Sequence, residues 1–118
     1  MGKFYAKRDS KKGNVVIANY DKQRDYILYF ESPEQATQFV EGLYNAQYRK
    51  KLIGNEKKTY RQATYLSPNE HKVCVNFDKD HVANWPFTLF FDDVKTTESF
   101  YSDLTEVIFG HTEPAHVL

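Results

Sequence analysis

The chain repeats itself. Residues 14–22 (NVVIANYDK) align with residues 71–79 (HKVCVNFDK), and Tyr26 to Glu31 (YILYFE) align with Phe87 to Asp92 (FTLFFD). The second register continues, matching Phe39 to Phe100 and Leu43 to Leu104. One insertion between Asp78 and Phe87 accounts for the change of register. An aromatic-rich composition inflates such matches, but the shared Asn-[Tyr/Phe]-Asp-Lys is not a composition effect. Self-similarity of this kind marks a duplicated supersecondary unit. Both halves must then adopt the same local structure.

Local patterning says what that structure is. Val15 to Tyr20 and Val73 to Phe77 are rich in β-branched and aromatic residues, as strands are. Tyr26 to Glu31 and Phe87 to Asp92 follow, each after a polar loop. Ser10 to Gly13 and Ser67 to Glu70 read as hairpin turns, each preceded by a weaker strand, Lys3 to Arg8 and Thr59 to Leu66. Each unit ends in a helix. Ser32, Pro33 and Gln35 stand at the N-cap, N1 and N3 positions, and Ala36, Phe39, Val40 and Leu43 then share one helical face. Asp93 caps the second helix, whose stripe is Thr97, Phe100, Tyr101, Leu104, Val107 and Ile108, with Gly110 as the stop. The expectation is one α+β domain over 1–118, a duplicated βββα unit with a pseudo-twofold, its antiparallel sheet carrying two helices on one face. The units run over about 1–50 and 59–110, and 111–118 form a tail.

Strand alternation assigns faces. Val16, Ala18, Tyr20, Leu28 and Phe30, with Val73, Val75, Phe77, Leu89 and Phe91, should meet the helices. Ile17, Asn19, Ile27, Tyr29, Cys74, Asn76, Thr88 and Phe90 should line the opposite face. Two layers leave that face to water, and large apolar patches on a monomer mark interaction surfaces. Three occupants fit, in this order: a second copy of the chain, a partner protein, or single-stranded nucleic acid stacking on the aromatics. Trp85, in the inserted loop, reads equally as a plug over the core and as a binding anchor.

Charge bears on that ranking. The chain has 16 basic and 16 acidic side chains, which argues against a general polyanion binder. The two signs are unevenly placed. Residues 1–61 hold 13 basic and 7 acidic side chains, and residues 62–118 hold 3 and 9. The preferred reading is that the halves neutralise one another across their interface. The alternative is a nucleic-acid surface made from Lys7, Arg8, Lys11 and Lys12 with Arg49, Lys50, Lys51, Lys57, Lys58 and Arg61. In topology alone the inferred fold looks broadly like single-stranded nucleic-acid-binding folds of the Pur and Whirly type. None of their motifs is present, so no residue role carries over.

No catalytic constellation appears: the chain has no Gly-rich phosphate loop and no nucleophile elbow. Cys74 occupies a strand position held by Ile17 in the other unit, as a small buried hydrophobe would. Asp78, Asp80 and His81 lie close together without a metal-ligand spacing. Asn19, Asp21 and their repeats Asn76 and Asp78 are explained by turn chemistry. No cofactor or metal is expected. The single cysteine excludes an internal disulfide and fits a reducing cytoplasm. Neither a leader-like apolar stretch nor a run of about 20 apolar residues is evident. The expected function is therefore non-enzymatic protein binding, as in a small inhibitor or regulator of the phage or mobile-element type.

Overall fold

Backbone alternation and cap chemistry produce the element order expected. The computed structural model describes residues 3–53, 63–77 and 86–109, with side chains over 3–47, 64–77 and 86–108. The first unit is β1 (Phe4–Arg8), β2 (Val15–Tyr20), β3 (Arg24–Tyr29) and α1 (Pro33–Ile53). The second is β4 (Ala63–Ser67), β5 (Lys72–Asn76), β6 (Phe87–Phe90) and α2 (Val94–Phe109), with a 3-10 turn at Pro68–Glu70. The fold is α+β. It consists of two antiparallel three-stranded meanders, β1-β2-β3 and β4-β5-β6, and two helices. Gly110 and the tail lie outside the described residues.

The β2–β3 connection is tighter than a polar loop. Asp21 and Lys22 both take left-handed φ values, 50° and 60°, and the Gln23 amide donates to the Tyr20 carbonyl at 2.7 Å. With Tyr20 paired to Arg24, the connection is the three residues Asp21, Lys22 and Gln23, one of the short hairpin loops. Asn19 Oδ1 accepts from the Lys22 amide at 2.9 Å, so this Asn serves the turn. With the turn this short, β3 begins at Arg24 rather than Tyr26. In the β1–β2 hairpin, Asp9 Oδ1 accepts from the amides of Lys11 at 2.7 Å and Lys12 at 3.4 Å.

Both helices start where their caps stand. The Gln35 amide donates to Ser32 Oγ at 3.2 Å, and Gln35 Oε1 accepts from the Glu31 amide at 3.2 Å. The Thr96 amide donates to Asp93 Oδ1 at 2.6 Å, and this bond holds the Asp93 carboxyl below its usual range. Both predicted stripes are buried, apart from Val40, which packs against the core from its margin.

The helices tie the units together. Phe39 of α1 lies 5.2 Å from Phe30 of its own unit and 5.3 Å from Phe77 and from Phe87 of the other. Phe100 of α2 lies 5.0 Å from Phe91 of its own unit, and 5.0 Å from Tyr26 and 5.9 Å from Phe4 of the first. These contacts are related by the repeat, because Phe30 matches Phe91 and Tyr26 matches Phe87. Tyr26 also meets Phe91 at 6.3 Å and Phe30 meets Phe87 at 6.2 Å. Those two pairings bring β3 and β6 together, although the two strands belong to separate three-stranded sheets.

Gly42 is one requirement of this packing. A Cβ added there would lie 2.5 Å from Phe77 Cδ2, and Phe77 is held between Phe39 and Phe87. Alanine gains about 1 kcal/mol of helix propensity over glycine. Even so, Gly42→Ala should lower stability by about 1–3 kcal/mol through overpacking. Urea denaturation measures the change, and a more stable variant would show that the ring has room to move.

The outer edge of β1 is closed by side chains. The Phe4 amide donates to Gln47 Oε1 at 3.0 Å, and Gln47 Nε2 donates to the Phe4 carbonyl at 3.2 Å. The Tyr44 hydroxyl lies 3.1 Å from the Ala6 amide and 2.8 Å from its carbonyl. Helix α1 thereby satisfies an edge that would otherwise invite another strand.

Candidate binding surface and the polar seam between the units

The face away from the helices is built by the odd-numbered residues of β1–β3 and the even-numbered residues of β5 and β6. Register aligns Tyr5 with Asn19 and Asn19 with Asp25, and Lys7 with Ile17 and Ile17 with Ile27. In the second meander Phe90 pairs with Lys72 and Thr88 with Cys74. Tyr29 is 63% exposed, Phe90 62%, Ile27 51% and Tyr5 48%. Lys3 Nζ sits 5.3 Å from the centre of the Tyr5 ring. Ile17 is half-buried between Lys7 and Ile27. Three large side chains are thus more than half in water, and Tyr5 nearly so, while the inner face is closed.

One part of the expected face is not open. Cys74 and Asn76 are each 4% exposed, so β5 does not offer its outer side to solvent. Cys74 Sγ lies 3.7 Å from Thr88 Oγ1. Alternation fixes which way a side chain points, but not whether something lies over it. The exposed patch therefore covers β1, β2, β3 and β6.

The basic residues do not form one surface. Lys7 lies on the outer face. Arg8, the next residue along the strand, turns to the other side, where its Nη1 donates to Thr37 Oγ1 of α1 at 2.7 Å. Lys11 and Lys12 are exposed in the β1–β2 turn. Arg49, Lys50 and Lys51 lie in the last turns of α1, with side chains outside the described residues. Lys57, Lys58, Arg61 and Trp85 lie outside the described residues altogether, as do Asp78, Asp80 and His81.

A polar cluster that the sequence reading missed joins the two units. Arg24 Nε and Nη2 donate to the Asp103 carboxylate at 2.7 and 2.9 Å. The Tyr26 hydroxyl donates to Asp103 Oδ2 at 2.6 Å and lies 2.6 Å from Ser99 Oγ. Tyr20 donates to Glu106 Oε1 at 2.9 Å. A bidentate guanidinium–carboxylate pair is among the stronger polar contacts. Arg24 is held well above its ordinary value, chiefly by its hydrogen bonds to Asp103. One of these contacts, Arg24 to Asp103, pairs a basic side chain of the first half with an acidic one of the second.

The repeat held the signal for this seam. Tyr20 and Tyr26 stand where the other unit has Phe77 and Phe87, and Asp103 stands where it has Gly42. The halves thus differ by two hydroxyls and one carboxylate, and Tyr26 and Asp103 meet in space. The other half of the pseudo-symmetric core keeps the apolar version.

Burial first, and then the neighbouring carboxylates, push the hydroxyls of Tyr20 and Tyr26 up to about 12 from an ordinary 10.0. The folded state thus holds these protons more tightly than the unfolded chain. Stability is fully present below pH about 10 and is lost as pH rises towards 12. The variant Tyr20→Phe, Tyr26→Phe should keep more of its neutral-pH stability across that window. Denaturation midpoints at pH 8 and pH 11 compare the two proteins, and an equal fractional loss in both would refute the assignment.

Fold and surface together define a duplicated α+β domain with one covered sheet face and one exposed apolar patch. Among the described residues no helix is long and apolar enough to cross a membrane. Comparison with known proteins returned no matching family model, no matching curated protein and no matching solved structure.

Proposed function

We propose that the protein is a small binding protein that acts by docking another protein on its outer sheet face. The observation that carries this reading is the cluster of Ile27, Tyr29 and Phe90 on adjacent strands, each more than half exposed. Monomers rarely leave contiguous large apolar side chains in water without a use for them. Aromatic side chains supply much of the binding energy at protein interfaces. An inhibitor or regulator of another protein fits such a surface.

The charges around the patch favour protein over nucleic acid. Asp25 lies on β3 beside Ile27, and Glu31 and Asp92 stand exposed just past the ends of β3 and β6. Bases stacked on Tyr29 and Phe90 would bring phosphates against these carboxylates. Lys3 and Lys7 lie at the β1 edge of that face, and Lys72, opposite Phe90, is paired with Glu70 at 2.7 Å.

The variant Tyr29→Ala, Phe90→Ala should fold with stability within about 1 kcal/mol of the parent, since both side chains are mostly in water. Photo-cross-linking from position 29 should yield protein adducts that persist at high salt and vanish in the variant. Adducts confined to nucleic acid and lost at high salt would sink the proposal, because phosphate binding falls steeply with salt. A large loss of stability would instead show that these side chains are covered.

A further inference from the structure

We infer that the partner docked on the outer face is a protein segment carrying arginine among apolar side chains, whose guanidinium groups lie over Tyr29 and Phe90 and pair with the carboxylates of Glu31 and Asp92. The inference rests on the reading of that face as a protein-docking surface and adds the chemistry of what docks there.

The repeat builds the same ring and carboxylate twice. Tyr29-Phe30-Glu31 of the first unit matches Phe90-Phe91-Asp92 of the second. In both, the middle residue turns inward: Phe30 is buried and Phe91 packs against the core. The residues on either side then face outward, as alternation requires. Tyr29 is 63% and Phe90 62% exposed, and Glu31 and Asp92 are exposed beside them. Residues two apart in an extended chain are separated by about 7 Å, so one arginine side chain can meet both the ring and the carboxylate. A carboxylate just before a helix also gains from the helix dipole. That explains an acid at this position, but not the exposed ring two residues earlier in both units.

The cations of the chain that lie near are engaged elsewhere. Lys3 Nζ lies 5.3 Å from the centre of the Tyr5 ring, and the Arg24 guanidinium 5.3 Å from that of Tyr20. Lys72, opposite Phe90, is paired with Glu70 at 2.7 Å. Among the described residues no cation stands over Tyr29 or Phe90, and neither Glu31 nor Asp92 has an ion-pair partner. Asp25, exposed on β3, accepts from Asn19 Nδ2 at 2.7 Å and adds to the negative charge of this side.

Uncovered ring faces beside uncompensated carboxylates define the complementary group. A ring face attracts a cation. A planar guanidinium can stack on the ring and pair with the carboxylate through two parallel hydrogen bonds, which an ammonium cannot do. Ile27, 51% exposed on the same strand as Tyr29, calls for an apolar side chain as well. The apolar contacts supply most of the affinity, and the charges select the partner.

Magnetic resonance titration of the isotope-labelled chain with short blocked peptides tests the inference. One peptide alternates arginine with leucine, and the two controls alternate glutamate with leucine and arginine with serine. The arginine–leucine peptide should bind and shift the amide signals of Tyr29 and Phe90, and each control should bind at least about tenfold more weakly. The variant Glu31→Gln, Asp92→Asn should keep its fold, since both side chains are exposed, and should lose about three- to tenfold in affinity for the arginine–leucine peptide. In Glu31→Lys, Asp92→Lys the preference should pass to the glutamate–leucine peptide. If either control binds the parent as tightly as the arginine–leucine peptide, or no peptide binds, the inference is overturned. Indifference to the Glu31→Gln, Asp92→Asn change would overturn it too. None of these results touches the broader docking role, which the salt-resistant adducts at position 29 read separately.

Discussion

Truncating Phe100 to alanine is expected to cost about 3–5 kcal/mol, the range for a buried aromatic side chain. Phe100 is 1% exposed, and its ring packs on Phe4, Tyr26 and Phe91. Two of those partners belong to the other unit. The cavity would therefore open at the junction between the repeats rather than inside one of them. The neighbours are poorly placed to collapse into it, because Tyr26 is fixed through its hydroxyl to Asp103 and Ser99. Urea denaturation of the variant should show a single transition at lower denaturant with an unchanged slope. A loss below about 1 kcal/mol would mean that the helices do not lock the units together. Two separate transitions would mean that the units unfold independently.

The second large effect concerns a carboxylate. Asp103→Ala should cost about 2–3 kcal/mol, somewhat less than the 3–5 kcal/mol for breaking a fully buried pair. The discount comes from Arg24, whose side chain is 45% exposed and can return to water. The cost comes from Tyr26, a buried residue whose hydroxyl loses its carboxylate acceptor. The opposite half of the protein indicates how to relieve it. There the equivalent helix position is Gly42, and its neighbours are Phe77 and Phe87. Adding Tyr20→Phe and Tyr26→Phe to Asp103→Ala should therefore recover at least about 1 kcal/mol, since removing both partners of a buried polar contact is nearly neutral. A mutant cycle in urea measures the coupling. If the phenylalanines deepen the loss instead, the two halves are not interchangeable solutions to one packing problem.

The candidate surface was partly legible beforehand. Period-2 alternation assigned Ile27, Tyr29 and Phe90 to the outer face, and all three are exposed there. The same rule placed Cys74 and Asn76 beside them, yet both are buried. The clustering of basic residues also grouped Lys7 with Arg8, although neighbours along a strand point to opposite sides. The seam of Arg24, Tyr26 and Asp103 went unseen. In the sequence Tyr26 reads only as the start of a strand, and nothing local marks Arg24 or Asp103 as its partners.

What the sequence determined by itself is the local order and the duplication. Ser32 and Asp93 set the helix starts because a cap acts over three or four residues. Strand faces and helix stripes follow from periods of 2 and 3.6, which are equally local. Matching patterns in both halves made the βββα unit evident. Only the tertiary structure decided that α1 and α2 each pack across the pseudo-twofold, that Gln47 and Tyr44 close the β1 edge, and that Arg24 meets Asp103. These contacts join residues 43, 38 and 79 positions apart. No periodicity spans such separations. They are set by which arrangement of two similar units buries both apolar faces at once, and that choice is made in space rather than along the chain.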